Sequence, residues 1–393
     1  MVDVLRAVAS RIGMVAILLL LLLGFTIAAG LGAALQNAPG LALRVAPWNA
    51  RAAGRLSQQI LSQDTAQGAR AQMFAHSALA RDPTVVSAVV ATGLLIDLKG
   101  NRAAALQRFT YAEWLSRRDI GTQLWWVEHA VAAGDIDRAL HHYDTALRSS
   151  QAAPDLLFPT LGKAIAQPQV AQKLAVLLRR GAPWQGQFLE WLVTNGVNNR
   201  PAVFIMSDMR NAGVPIAPDL FGRLEQGLID QKDYAAAWNF YQQRHPAARR
   251  DAAQDVGFTA SPSGQQSPFD WKLASEEGGA SFGMSDGRNV LTFSNVTTNA
   301  AILARQFMLL SSGQYRLAAD VRIESDSRDN LPYWSLRCID GRVLGRSPVN
   351  VGTSAMWTVP SDCSAQWLAL QSDASDSSEA VTGIVRGVRL TKR

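Results

Sequence analysis

The sequence predicts a multi-domain chain: an N-terminal transmembrane helix, an α-helical solenoid and a C-terminal antiparallel β-sandwich. Three observations carry this. An uncharged, mostly apolar run covers 12–35, helical periodicity with a 34-residue repeat fills the middle, and a period of two takes over after the composition shifts near Asp251. The implied boundaries are a cytoplasmic N-terminus over 1–11, an anchor over 12–35, helical repeats over 36–252, a linker over 253–267 and a sandwich over 268–393.

The apolar run from Ile12 to Leu35 includes Leu18 to Leu23 without a break. It is longer than the roughly 20 residues a bilayer core requires. Arg6 and Arg11 precede it, and the first basic residues after it are Arg44 and Arg51. That bias favours a cytoplasmic N-terminus and an external body. A cleaved signal peptide is the alternative; its apolar region is usually about 7–15 residues long with a small-residue cleavage site. Ala28, Ala29, Ala33 and Ala34 fit such a site only loosely. Both readings place the body outside the cytoplasm, and an Ala- and Arg-rich, Lys-poor composition points to a bacterial periplasm. The expected localisation is a single-pass protein of the bacterial inner membrane, partnered by the membrane through 12–35.

Charge separates the two large parts. Residues 36–252 carry 23 Lys+Arg against 17 Asp+Glu, and residues 253–393 carry 13 against 14. A basic body can meet anionic lipid or an acidic polymer, but an Arg-rich solvated face is the favoured explanation. No dense basic patch interleaved with aromatics suggests a nucleic-acid partner. Both cysteines, Cys338 and Cys363, fall in the C-terminal part. In an oxidising compartment such a pair favours a disulfide over two buried free thiols.

The middle of the chain repeats itself. Gly100 to Gly134, Ala105 to Ala139, Phe109 to Tyr143 and Ala112 to Ala146 are all 34 residues apart. Glycines suit a left-handed turn between helices, alanines allow close packing, and the aromatics fill the gap one turn later. Ala71, Ala78 and Asp82-Pro83 mark an earlier partial copy; Lys232-Asp233, Ala237 and Tyr241 mark a degenerate later one. The pattern resembles the tetratricopeptide repeat. That resemblance implies a concave face built from the first helix of each pair, here lined by Ser87, Val90, Leu94, Asp97, Leu124, Glu128 and Val131. Trp126 reads as core.

In the C-terminal part Tyr315, Leu317, Ala319, Val321 and Ile323 alternate with Arg316, Ala318, Asp320 and Arg322. Further strands are expected at 289–294, 302–309, 333–339, 366–370 and 382–390, separated by Asp286-Gly287, Ser312-Gly313 and Asp340-Gly341. Seven or eight short strands indicate a sandwich. The order of Pro268-Phe269-Asp270-Trp271, Gly313-Gln314-Tyr315-Arg316-Leu317, Trp334-Ser335-Leu336-Arg337-Cys338 and Gln366-Trp367-Leu368 resembles the galactose-binding-like or carbohydrate-binding-module jelly roll. Such domains often stack aromatics on sugars, which makes Tyr333, Arg337, Trp271 and Trp357 glycan-facing candidates; Trp334 reads as core. The resemblance also admits a structural calcium near Asp270, Glu276, Glu277 and Asp286, without a decisive ligand spacing.

No catalytic signature appears: no H-E-x-x-H, G-x-S-x-G, P-loop or dinucleotide fingerprint. The expected function is therefore a non-enzymatic scaffold without a cofactor. Its solenoid contacts envelope proteins, and its sandwich contacts a glycan, in support of polysaccharide synthesis or export. The alternatives are a glycan-binding protein with the solenoid as spacer, or an adaptor that binds no sugar.

Overall fold

The computed structural model describes residues 22–393 apart from 36, 197, 260–266, 274–278, 296–299, 327–329, 351–352 and 375–379. The chain forms two compact units, one up to Leu157 and one from Phe158 onward.

The first unit begins with α1 (22–34) and α2 (Pro39–Val45). Three helix pairs follow: α3 (Ala50–Gln63) with α4 (Gly68–Arg81), α5 (Val86–Leu98) with α6 (Arg102–Leu115), and α7 (Ile120–Ala132) with α8 (Ile136–Ser149). The expected membrane span is corrected here. Residues 12–21 lie outside the described residues, and among the described residues no helix is long and apolar enough to cross a membrane. The expected single-pass inner-membrane localisation is thereby overturned.

The repeat has a local cause. Gly100 and Gly134 adopt φ of +82° and +72°, left-handed values that favour glycine. Immediately after them Asn101 and Asp135 cap α6 and α8, accepting from the Ala104 and Arg138 amides at 3.1 and 3.0 Å. Ala105, Ala139, Phe109 and Tyr143 are all buried. Gly93 lets α5 approach α6: a Cβ there would meet the Phe109 ring at 2.9 Å.

In the chain order α9 (Ala153–Ala164) spans the division between units, and α10 (Pro168–Arg179), α11 (Gln185–Asn195), α12 (Asn199–Asn211), α13 (Asp219–Asp230) and α14 (Tyr234–Gln242) follow. Ten strands complete the second unit: β1 (Lys272–Leu273), β2 (Gly279–Ser285), β3 (Arg288–Asn295), β4 (Ala301–Met308), β5 (Gly313–Ile323), β6 (Tyr333–Cys338), β7 (Val343–Pro348), β8 (Thr353–Val359), β9 (Gln366–Ser372) and β10 (Val381–Lys392). They make two antiparallel sheets, β1-β4-β9-β6-β7 and β2-β3-β10-β5-β8. Inward side chains of both, among them Trp334, Leu368, Leu317 and Val388, share one core.

Cys338 and Cys363 are disulfide-bonded with Cα atoms 5.7 Å apart. Closing that loop is worth about 3 kcal/mol in the chain-entropy account. The expected linker is only partly described. Its first residues join the sandwich: Phe258 is in the core, and the Val388 amide donates to Val256 O at 3.0 Å. A second apolar cluster unites Leu228, Trp238 and Tyr241 of α13 and α14 with Phe269, Phe307 and Leu309. The last helices and the sandwich are therefore one packed body.

Candidate functional site: a groove between successive first helices

The first helices of the three pairs in the first unit, α3, α5 and α7, border a groove of about 630 Å³. Arg55, Gln58, Gln59 and Ser62 of α3 form one wall, Leu94 and Leu98 of α5 the floor, and Ile120, Leu124 and Glu128 of α7 the other wall. Leu98 is 61% exposed, so the floor presents an apolar side chain to the groove. The walls approach closely at one end, where a Cβ on Gly121 would lie 2.6 Å from Gln58 Nε2.

At the base of the groove, where Trp125 joins the lining, its indole N–H donates to Asp97 at 3.0 Å, and the ring stacks against Phe109 and His129 with centroids 4.1 and 4.9 Å away. This holds α7 to α5 and fixes the spacing of the floor. Further back, His142 Nδ1 lies 2.7 Å from Gln123 Oε1, to which its N–H donates, and the ring stacks on Trp126. Burial, followed by the charges of His141 and Arg138, pushes the His142 pKa down to about 4.

Of the seven groove residues expected from sequence, Leu94, Leu124 and Glu128 line this cleft. Asp97 sits beneath it. Val90 is buried, and Ser87 packs against Gly54, where a Cβ would meet its hydroxyl at 2.6 Å. Val131 is exposed beyond the lining. Sequence reasoning missed the whole α3 wall. The signal was present: Ala71 and Ala78 mark α4 as the second helix of an earlier pair, so its first helix, α3, belongs to the same face.

The expected glycan-facing aromatics lie elsewhere, in the core of the sandwich. Trp271 is 2% exposed and packs on Trp334 and Phe258. Trp357 is 5% exposed and lies over Gly345, where a Cβ would meet its ring at 2.2 Å. The Tyr333 hydroxyl donates to Asp373 at 3.1 Å, and the Arg346 guanidinium sits 3.5 Å above its ring. These three rings leave no open face for a pyranose, and only Arg337 is exposed. Among the described residues no group of three or more His, Cys, Asp or Glu could hold a metal ion. Asp270 accepts from the Tyr241 hydroxyl, and Asp286 pairs with Arg386. Glu276 and Glu277 lie outside the described residues.

No protein-family model and no curated protein matches the sequence. Among solved structures, the chain is similar to accessory secretory proteins 1, 2 and 3 of Streptococcus pneumoniae, at 13% identity over 37% of this chain and 97% of that one, with a TM-score of 0.23. It is also similar to pilF of Pseudomonas aeruginosa, at 17% identity over 51% and 93%, with a TM-score of 0.27. The TPR domain of P58(IPK) matches at 14% identity over 51% and 60%, with a TM-score of 0.23. Scores at this level are too low to transfer a function, so the site is argued from its own geometry.

Proposed function

We propose that this chain is a non-enzymatic adaptor whose α3–α5–α7 groove holds a segment of a partner protein. One observation carries the reading: successive first helices leave an apolar strip, Leu94 and Leu98 on the floor and Leu124 on the α7 wall, partly open beside the polar α3 wall. Such a surface suits a segment with apolar anchors at regular spacing, helical or extended. Arg55 on one wall and Glu128 on the other favour flanking charges of both signs.

The narrower reading joins this partner to polysaccharide synthesis or export and gives the sandwich a glycan to touch. It rests on fold resemblance, and the burial of Trp271, Trp357 and Tyr333 weighs against its glycan half.

The test is a peptide-display selection against the full chain. Selected peptides should carry apolar anchors and lose at least about tenfold in affinity with Leu94→Glu or Leu124→Glu. They should be unaffected by Trp114→Ala, which removes an exposed ring of α6 outside the groove lining. Peptides indifferent to both groove variants would sink the proposal.

A further inference from the structure

We propose that the outer face of the β2-β3-β10-β5-β8 sheet binds a ligand carrying two or more neighbouring oxyanion groups. A cleft of about 680 Å³ lies there, a size typical of small-molecule sites. Arg288 of β3, Arg316 of β5, and Arg386 and Arg389 of β10 converge on it, with Asp320 the one carboxylate in the lining.

The convergence is built into the backbone. Successive strand residues alternate between faces, so residues 386 and 389, an odd number apart, would ordinarily point to opposite sides. A bulge between Val385 and Gly387 shifts the register by one. Val385 and Val388 then both enter the core, and both arginines reach the outer cleft. The floor between them is kept low by small residues. Arg389 pairs across the ladder with Ala318, and Gly387 pairs with Asp320.

Two of the four guanidinium groups are engaged: Arg386 pairs with Asp286 at 3.2 Å, and Arg316 Nε donates to Ser354 Oγ at 3.2 Å. Among the described residues, Arg288 and Arg389 make no ion pair or side-chain hydrogen bond. Planar guanidinium forks on neighbouring strands match phosphate, sulfate or carboxylate oxygens, two donors to each group. No aromatic ring lines the cleft, so the recognition chemistry is charge and hydrogen bonding rather than stacking. Asp320 opposes the anion and favours ligands that also present a hydroxyl donor.

The experiment is calorimetric titration of the full chain with inorganic phosphate and with tripolyphosphate at fixed ionic strength. The expected result is one-to-one binding of tripolyphosphate, at least about tenfold tighter than phosphate. Arg389→Ala and Arg316→Ala should each weaken it about tenfold or more. Asp320→Asn should tighten it several-fold, an outcome that misfolding cannot imitate. Arg337→Ala, on the other sheet, should leave it unchanged. Equal affinity for the two anions, indifference to Asp320→Asn, or binding only to phosphatidylglycerol vesicles would overturn the proposal.

Discussion

The indole N–H of Trp125 donates to the carboxylate of Asp97 across 3.0 Å, linking α7 to α5 at the base of the groove. Trp125 is itself buried, so this N–H has no ready exchange for water. Removing its acceptor leaves a buried donor unsatisfied, at a cost of about 1–3 kcal/mol. Asp97→Ala should destabilise the first unit by that amount in urea unfolding. Asp97→Asn, which keeps an acceptor, should cost clearly less. Equal losses would show that the hydrogen bond is not what holds the two helices together.

The degenerate repeat at Lys232 has a backbone defect that the two good copies avoid. Lys232 adopts φ of +60° at the turn before α14, where the earlier copies place Gly100 and Gly134. A left-handed residue with a Cβ costs about 1–2 kcal/mol. Lys232→Gly should therefore raise stability by about 1 kcal/mol, whereas Gly134→Ala should lower it by a similar amount. Thermal denaturation of the two variants checks both signs.

Much of the architecture was legible in the sequence, and what was missed has a pattern. The six strands expected from alternation correspond to β3, β4, β5, β6, β9 and β10, each flanked by a strand on both sides. The missed strands, β1, β2, β7 and β8, are the four sheet edges. β2 and β7 contain glycine and, in β7, proline, and they bury too little to show a period of two. The sugar-facing role of Trp271 and Trp357 failed for a different reason. An aromatic next to a turn looks the same in sequence whether it faces solvent or core, and Gly345, which makes room for Trp357, is distant in the chain.

Two buried titratable groups pull stability in opposite directions with pH. His142 is driven down from 6.5 to about 4 by burial and then by the His141 and Arg138 charges. The unfolded chain takes up this proton first, so stability from His142 is present above 6.5 and is lost as pH falls toward 4. Glu225, fully buried against Arg244 and Ser267, is raised from 4.5 to about 7 because burial outweighs those partners. Here the folded chain keeps its proton longer, so stability is greatest below 4.5 and falls as pH rises through 7. His142→Asn should remove the acid-side loss, and Glu225→Gln should flatten the decline toward neutral pH. Urea midpoints from pH 4 to 8 separate the two; a wild-type slope unchanged by Glu225→Gln would refute the assignment for that residue.

The sandwich should not behave as a free module. Trp238 and Tyr241 of α14 cover Phe269 and Phe307, and the Tyr241 hydroxyl donates to Asp270 at 2.7 Å. A fragment of residues 253–393 exposes these rings and is expected to bind a hydrophobic dye and melt broadly. Residues 158–393 should melt as one cooperative transition. Within the full chain, Trp238→Ala should cost about 3–5 kcal/mol, as for other large aromatics in packed cores.

A partner segment seated in the proposed α3–α5–α7 groove would shield the backbone that borders it. Amide hydrogen exchange of the full chain, with and without a selected peptide, tests it most directly. Added protection is expected to concentrate in 55–65, 94–98 and 120–128, with α4, α6 and α8 little changed. Protection concentrated on α4, α6 and α8, or confined to the sandwich, would contradict it.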